Sequence, residues 1–208
     1  MRLLPAAFLL GLLPLLAAVA PAAEPPAEAP FEAPDHRGFD PTGVWYGLHG
    51  PLVLMRAGDT LSFSYSAVFG ATAHTCDGIG IAGFVGDGRW EYTDAEGTVT
   101  FTTRDDEVTM SVTDGIASFC GAYWPGDRFV RDGWKPPFSC VVTAAKVHFH
   151  VVEPPPPGQR YGYVLAGDRV EAAGLVSEGG AAWLLARYVG ERTTAGLLAR
   201  EALACEEE

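Results

Sequence analysis

The chain is poor in positive charge and, after its first residues, in long apolar runs. It carries 14 Lys and Arg residues against 26 Asp and Glu residues, which gives a formal net charge of −12 over 208 residues. Nucleic acids and anionic membranes attract basic proteins, so this balance argues against both as partners, whereas it is compatible with a cationic protein. After residue 23 no apolar run is long enough to cross a bilayer, so we expect no membrane span in the mature protein.

The usual motifs of catalysis and metal binding are also missing. The sequence has no Gly-x-Ser-x-Gly nucleophile elbow and no Cys-x-x-Cys pair. The carboxylates of residues 94–107 stand in turn segments, where nothing implies the apolar cleft that a raised carboxyl pKa requires. We therefore expect a protein that is not an enzyme, with no catalytic residue, no metal site and no cofactor.

Two histidine patterns leave an alternative open. His74, two residues before Cys76, would suit a Cys/His nucleophile, but in an exported protein Cys76 is better interpreted as half of a disulfide. His148 and His150 share one strand face about 7 Å apart in Cα, a spacing that a metal can use. No acidic or Cys third ligand stands nearby in sequence, so we interpret this pair as surface polar residues.

Residues 1–23 have the pattern of a secretory signal peptide. Arg2 precedes an apolar run rich in Leu and Ala, which ends in small residues suited to signal peptidase. A retained membrane anchor is the alternative, but Pro5 and Pro14 interrupt the run and no stop-transfer charge flanks it. We expect a periplasmic or secreted protein. Loss of the leader, with Arg2 as its one charge, takes the formal net charge from −12 to −13.

The mature chain is predicted to hold two domains behind a spacer. Residues 24–41 are rich in Pro, Ala and Glu and are typical of a flexible linker. The remaining stretch of about 165 residues suits one large or two small domains. We predict a first module at 42–131, a Pro-containing connector at 132–145 and a second module at 146–205. Within the connector, Trp134 would either pack between the modules or be exposed, and packing is favoured.

The first module is predicted to be all-β. Short apolar or alternating runs are separated by turn sequences such as Gly-Asp-Gly, a pattern typical of antiparallel hairpins that close into a small barrel or sandwich. No stretch shows the apolar period of a helix. The predicted strands are residues 44–48, 52–56, 60–65, 74–84, 89–92, 99–103, 107–112 and 117–122.

Motifs in this module resemble those of exported small β-barrels. Residues 42–47 (Thr-Gly-Val-Trp-Tyr-Gly) resemble the opening strand of lipocalin-like barrels, in which an early Gly-x-Trp places the indole across one barrel end. Residues 73–76 (Ala-His-Thr-Cys) and 119–122 (Phe-Cys-Gly-Ala) are similar to a class of exported bacterial barrels that includes lysozyme-inhibitor-like proteins. This resemblance implies an inhibitor or immunity protein that acts on a cell-wall-degrading enzyme.

Residues 146–203 resemble a bacterial SH3-like domain. Residues 146–152 alternate between apolar and polar as an opening strand does, and residues 161–171 (YGYVLAGDRVE) match the pattern aromatic-x-apolar-x-x-Gly-Asp-x-Val. Residues 183–188 (WLLARY) supply the next core strand. Leu197 stands in the closing segment, where members of this family often carry Trp. The predicted fold class is thus all-β, a small antiparallel β-barrel followed by a bacterial SH3-like barrel.

The SH3-like resemblance implies a ligand groove. Such folds bind peptides or glycan-linked peptides in a shallow groove floored by aromatic residues. The residues nearest to that groove would be Tyr161, Tyr163, Trp183 and Tyr188. The function predicted is an exported binding protein of the cell envelope, whose partner is an envelope protein such as a cationic wall hydrolase. The alternative is a periplasmic scaffold that binds peptidoglycan or peptides.

The mature chain contains an even number of cysteines, which in an oxidising compartment indicates disulfides. They are Cys76, Cys120, Cys140 and Cys205. Three pairings are possible, and the sequence alone does not choose among them. The domain arrangement favours Cys76–Cys120 inside the first module and Cys140–Cys205 across the ends of the second. Closing the second loop would add roughly 4 kcal/mol through loop-closure entropy.

Overall fold

The structure is a computed structural model that describes residues 39–121, 123–152, 160–178 and 181–206. Within these ranges the fold is all-β, as predicted, with three short 3-10 turns and no α-helix. No helix of the described chain is long and apolar enough to cross a membrane. The expected signal peptide, most of the predicted spacer and the proline run after residue 152 lie outside these ranges.

The first sheet is a nearly closed antiparallel barrel of nine strands. Its first eight strands are β1 (Gly43–Tyr46), β2 (Pro51–Ala57), β3 (Thr60–Phe69), β4 (His74–Gly86), β5 (Arg89–Thr93), β6 (Gly97–Arg104), β7 (Glu107–Gly115) and β8 (Asp127–Val130). Each of them pairs with the next: short turns join β1 to β7 in a meander, and a longer connection leads from β7 to β8. A three-residue 3-10 turn then leads to β9 (Trp134–Lys135), which pairs with β1 and so brings the two ends of the sheet together.

Large aromatic side chains fill the barrel interior. Trp45, Phe63 and Trp90 are all completely buried, and residues that alternate with polar ones along each strand surround them. The Trp45 indole N–H donates a hydrogen bond to the Pro41 carbonyl at 2.8 Å. Trp134 packs, as predicted, but its ring lies 6.1 Å from that of Trp45 in the barrel core rather than between modules.

The strand predicted at residues 117–122 is wrong. Ser118–Cys120 form a 3-10 turn, and Gly121 follows in the left-handed conformation with a φ of 63°. The apolar residues of this segment turn into the end of the barrel instead of adding a strand to its wall. β8 begins only at Asp127, at the end of a long connection.

The second sheet has seven strands. They are β10 (Phe138–Val142), β11 (Lys146–His150), β12 (Arg160–Leu165), β13 (Arg169–Glu178), β14 (Ala181–Tyr188), β15 (Thr194–Ala199) and β16 (Leu203–Cys205). Their order across the sheet is β12-β11-β15-β14-β13-β10-β16. β9 and β10 both lie inside the segment predicted to be a connector, and β16 follows a 3-10 turn (Arg200–Ala202) at the end of the predicted second module. Pairing with β10 holds β16 in the sheet.

Both faces of the second sheet are buried over its centre. On one face Cys140, Phe149 and Leu184 belong to a core of its own. On the other face Leu185 and Leu197 pack against the outer surface of the barrel strand β2. Leu197, which replaces the Trp expected by resemblance, is therefore part of a core shared by the two sheets.

Strand β2 is buried on both of its faces. Leu52 and Leu54 point into the barrel, whereas Val53 and Met55 point outward into the shared core. This explains why residues 51–57 read as a continuous apolar run rather than an alternating one. All described residues accordingly belong to one compact unit.

Candidate functional site

The two motifs that carry the inhibitor-like resemblance meet at one end of the barrel. The structure forms the predicted Cys76–Cys120 disulfide there, and the predicted Cys140–Cys205 disulfide in the second sheet. The first disulfide ties the start of β4 to the long connection between β7 and β8. We call this end the stapled end. It is made by the connections 47–50, 70–73, 94–96 and 116–126.

Several contacts besides the disulfide fix the long connection. The His74 Nε2–H donates to the carbonyl oxygen of Cys120, and the Ser118 hydroxyl donates to the Asp94 carboxylate. The Phe119 ring lies directly on Gly78, where a Cβ atom would come within 2.6 Å of it. Gly78 is therefore required for this close approach, which holds residues 118–120 against the end of the barrel.

Two large apolar side chains are strongly exposed at the stapled end. Leu48 is 88% exposed and Tyr123 is 83% exposed. Val68 and Ile116, at the ends of neighbouring connections, are about half exposed. A group of exposed apolar side chains at one end of a barrel can serve as a protein-binding surface.

The connections of the stapled end contain carboxylates but no Lys or Arg. Asp94 and Glu96 lie in these connections, and Asp77 and Asp114 lie in the adjoining strands. Arg128, the second residue of β8, is paired with the Glu107 carboxylate. Burial alone would raise the pKa of Asp94, but hydrogen bonds from Ser118 and from backbone N–H groups outweigh it and lower that pKa. The Asp94 carboxylate therefore stays charged at neutral pH.

A buried carboxylate anchors the connections beneath this surface. The Asp127 side chain is 3% exposed, and its Oδ2 lies 3.4 Å from Nδ1 of His49 and accepts a hydrogen bond from the Tyr65 hydroxyl at 3.1 Å. Burial and the charge of Asp127 raise the pKa of Tyr65 well above its ordinary value, so Tyr65 remains a neutral donor. The cluster holds connection 47–50 against the end of connection 116–126. The sequence does not reveal this cluster, because its three members are far apart in the chain.

The four predicted groove residues do not gather on one face. Tyr161 and Tyr188 pack on the core of the second sheet, and burial raises the pKa of Tyr161 to about 12. Tyr163 and Trp183 lie on the opposite face. For the two tyrosines of β12 the reason is a bulge at Gly162, where φ is 51°, which places Tyr161 opposite Phe149 and Tyr163 opposite His148. Trp183 and Tyr188 face opposite ways because they are an odd number of residues apart in β14.

On that opposite face, Tyr163 is the most exposed of the four. It is 55% exposed, with the Lys146 ammonium 4.0 Å from its ring centroid and the His148 ring 5.9 Å away. The ring of Trp183 lies 5.0 Å from that of His150 beside the shared core. These residues form a narrow aromatic strip along β11, β12 and β14. Across the described ranges, no cluster of three or more His, Cys, Asp or Glu side chains could hold a metal ion.

Comparison of the chain with protein-family models, with curated proteins and with solved structures finds no match.

Proposed function

We propose that the protein is an exported, non-enzymatic binding protein of the cell envelope that captures a cationic protein at the stapled end of its barrel. In its most specific form, the partner is a wall-degrading enzyme and the protein acts as its inhibitor or immunity protein. The observation that carries this proposal is the joint presence of Leu48 and Tyr123, both strongly exposed, on an end whose connections contain no Lys or Arg.

The physical case rests on preorganisation and charge. Exposed Tyr and Leu side chains supply apolar area for a partner pocket, and the disulfide reduces the entropy that the long connection loses on binding. The acidic end accelerates encounter with a basic partner and discriminates against acidic ones. The association is therefore expected to weaken as salt increases.

The test is binding of the secreted chain to a panel of purified cationic muramidases, measured by surface plasmon resonance and by residual lytic activity. Tyr123→Ser and Leu48→Ser should each weaken binding about tenfold or more. Val189→Ser is the matched control, because Val189 is 60% exposed but lies outside the barrel. Absence of both binding and inhibition across the panel would reject the inhibitor form.

A second candidate function rests on the aromatic strip of the second sheet. Tyr163, exposed and flanked by Lys146 and His148, would suit a peptidoglycan- or peptide-binding scaffold. Sedimentation with purified sacculi separates the two functions, because an inhibitor need not pellet with the wall. Pelleting that is lost in Tyr163→Ser but kept in Tyr123→Ser would favour the scaffold. A hydrolase would clear a zymogram, and we expect no clearing.

A further inference from the structure

The second half of β7 is an edge of the first sheet at the stapled end. β8 pairs with β7 only from Glu107 to Met110. From Ser111 to Gly115, no strand of the described chain pairs with β7 on that side, because the chain leaves β7 and crosses the end of the barrel as connection 116–126. An edge of this kind offers backbone N–H and C=O groups to an added strand. We call residues 111–115 the open edge.

A cavity of about 320 Å³ lies along the open edge. One wall is β7 itself, with Ser111 and Val112, and the other wall is the last part of the connection, with Tyr123 and Trp124. Val112 packs against the barrel core and Trp124 is buried in it, whereas Ser111 is exposed on the outer side. Because side chains alternate along a strand, an added strand would place every second side chain against an apolar wall and the others toward solvent.

The charges around the open edge favour a basic occupant. Residues 105–127 contain no Lys or Arg. Asp114 lies in the open edge, and Glu96 lies beside its end, where the Glu96 carbonyl accepts a backbone hydrogen bond from just beyond β7. Arg128 lies beside the other half of β7 and is paired with Glu107. A basic segment therefore meets opposite charge here, whereas a second copy of this acidic chain would bring like charges together.

We propose that the open edge binds an extended segment of the cationic partner, in which apolar and basic residues alternate. This inference rests on the proposed function and specifies how the partner is held. The segment pairs through its backbone with residues 111–115 as an added strand. Its apolar side chains lie in the cavity between Val112 and Trp124, and its basic side chains lie on the outer side near Asp114. Tyr123 contacts the segment from the connection.

Nuclear magnetic resonance of the nitrogen-15-labelled secreted chain, titrated with an acetylated and amidated hexapeptide of alternating lysine and valine, tests this proposal. We expect saturable shifts of the amide signals of residues 111–115 and 123–125. N-methylation separates backbone pairing from charge, because alternate N–H groups of an edge-bound strand face the sheet and the others face solvent. Methylating all valines and methylating all lysines should therefore lower affinity by amounts that differ about tenfold or more. Equal losses, or shifts confined to other residues, overturn the proposal.

Charge changes on the exposed wall residue Ser111 test the same site from the protein side. Ser111→Asp should strengthen peptide binding several-fold and Ser111→Lys should weaken it several-fold. Ala166→Lys, in an exposed turn of the second sheet, is the control and should leave peptide binding unchanged. Near-UV circular dichroism checks that each variant keeps the native fold. Equal peptide binding by the two folded Ser111 variants would contradict the proposal.

Failure of this inference and failure of the proposed function give different results. Leu48 lies in another connection, so Leu48→Ser should bind the peptide normally while losing affinity for the muramidase. Muramidase binding without any peptide-induced shift at residues 111–115 would reject the added strand and leave the proposed function standing. Peptide binding at the open edge without binding to any muramidase of the panel would reject that class of partner and support the open edge as a binding site.

Discussion

At the scale of single residues, Arg187 is the main polar contact between the two sheets. Its guanidinium donates to the Glu171 carboxylate at 2.6 Å within the second sheet. It also donates to the Asp40 carboxylate and to the Arg56 carbonyl, both at 3.0 Å, on the barrel side. The Thr42 hydroxyl, also at 3.0 Å, is its fourth acceptor. This mostly buried arginine thus fixes the orientation of β14 beside the segment that leads into β1.

Arg187→Met should lower the free energy of unfolding by about 1–2 kcal/mol. The Asp40 and Glu171 side chains are 45% and 43% exposed, so solvent screens the charges left behind and limits the cost. Urea unfolding at neutral pH measures the change. Arg192→Met, at an exposed arginine, is the control and should have almost no effect.

The same contact should make stability depend on pH. Burial alone would raise the pKa of Asp40, but hydrogen bonds from Thr42 and the charge of Arg187 outweigh it and lower that pKa. A lowered folded-state pKa contributes stability that is complete above the unfolded value, near 4, and is lost as pH falls through the folded value. Unfolding at pH 6 and pH 3 should show a smaller acid loss in Arg187→Met than in the natural chain. Equal losses would mean that Arg187 does not hold Asp40.

At the scale of the elements, glycine bulges decide which side chains share a face. Gly174 has a φ of 122°, and a Cβ atom there would come within 2.9 Å of Val53 Cγ2 on the barrel. The bulge at Gly162 separates Tyr161 from Tyr163 in the same way. Neither bulge breaks the alternation of the sequence, which explains why both were missed.

Gly174→Ala should destabilise the protein by about 1–3 kcal/mol, because strain at positive φ adds to the clash with Val53. Gly167→Ala separates the two causes, since Gly167 also has a positive φ of 91° but has nothing within 4 Å of its Cβ position. We expect the Gly167 variant to lose less stability than the Gly174 variant in thermal unfolding. The reverse order would rule out a close approach of the sheets at Gly174.

Removing the Cys76–Cys120 disulfide should loosen the stapled end. The bond spans 44 residues, so Cys76→Ala with Cys120→Ala should cost about 4 kcal/mol through loop-closure entropy. Hydrogen exchange should rise first in residues 116–126, and affinity for a cationic partner should fall with it. Unchanged exchange in this connection would show that Phe119 and Asp127 suffice to hold it.

The strands were predicted well where the apolar alternation and the turn residues indicate the same strand boundaries. Strands β3 to β7 follow hairpin turns and were predicted within a few residues of their ends. β9 and β10 were missed because Pro136 and Pro137 are typical of a linker. The side chains of β10 nevertheless alternate between buried and partly buried positions. The disulfide pairing followed from domain order. The buried contacts of Asp127 did not, because His49 and Tyr65 lie far from it in sequence.

At the scale of the whole molecule, the shared core joins the two sheets into one folding unit. Met55 from the barrel and Leu185 from the second sheet are both completely buried in it. The sequence shows the composition of each half of the chain. It does not show that the outer face of the barrel and one face of the second sheet bury each other. The outward residues of β2 could not be assigned to a second layer without the structure.

Unfolding should therefore occur in a single transition. Four of the five tryptophans belong to the first sheet and its connections, so tryptophan fluorescence reports mainly on the barrel, while far-UV circular dichroism reports on both sheets. The two signals should change together. Leu185→Ala should cost about 2–4 kcal/mol and shift both curves equally, whereas Leu165→Ala, at a half-exposed leucine, should cost far less. Separate transitions would contradict a shared core.

The Cys140–Cys205 disulfide has a mechanical consequence. Suppose that the barrel binds a partner while the C-terminal end of the chain is held. Tension then passes from Cys205 across the disulfide to Cys140 in β10 and bypasses β11 to β15, which lie between the two cysteines in the chain. The 65 residues of that loop hold roughly 230 Å of contour length that stretching does not release. Pulling would unravel the barrel first, and the second sheet would lengthen only after a reductant cut the bond.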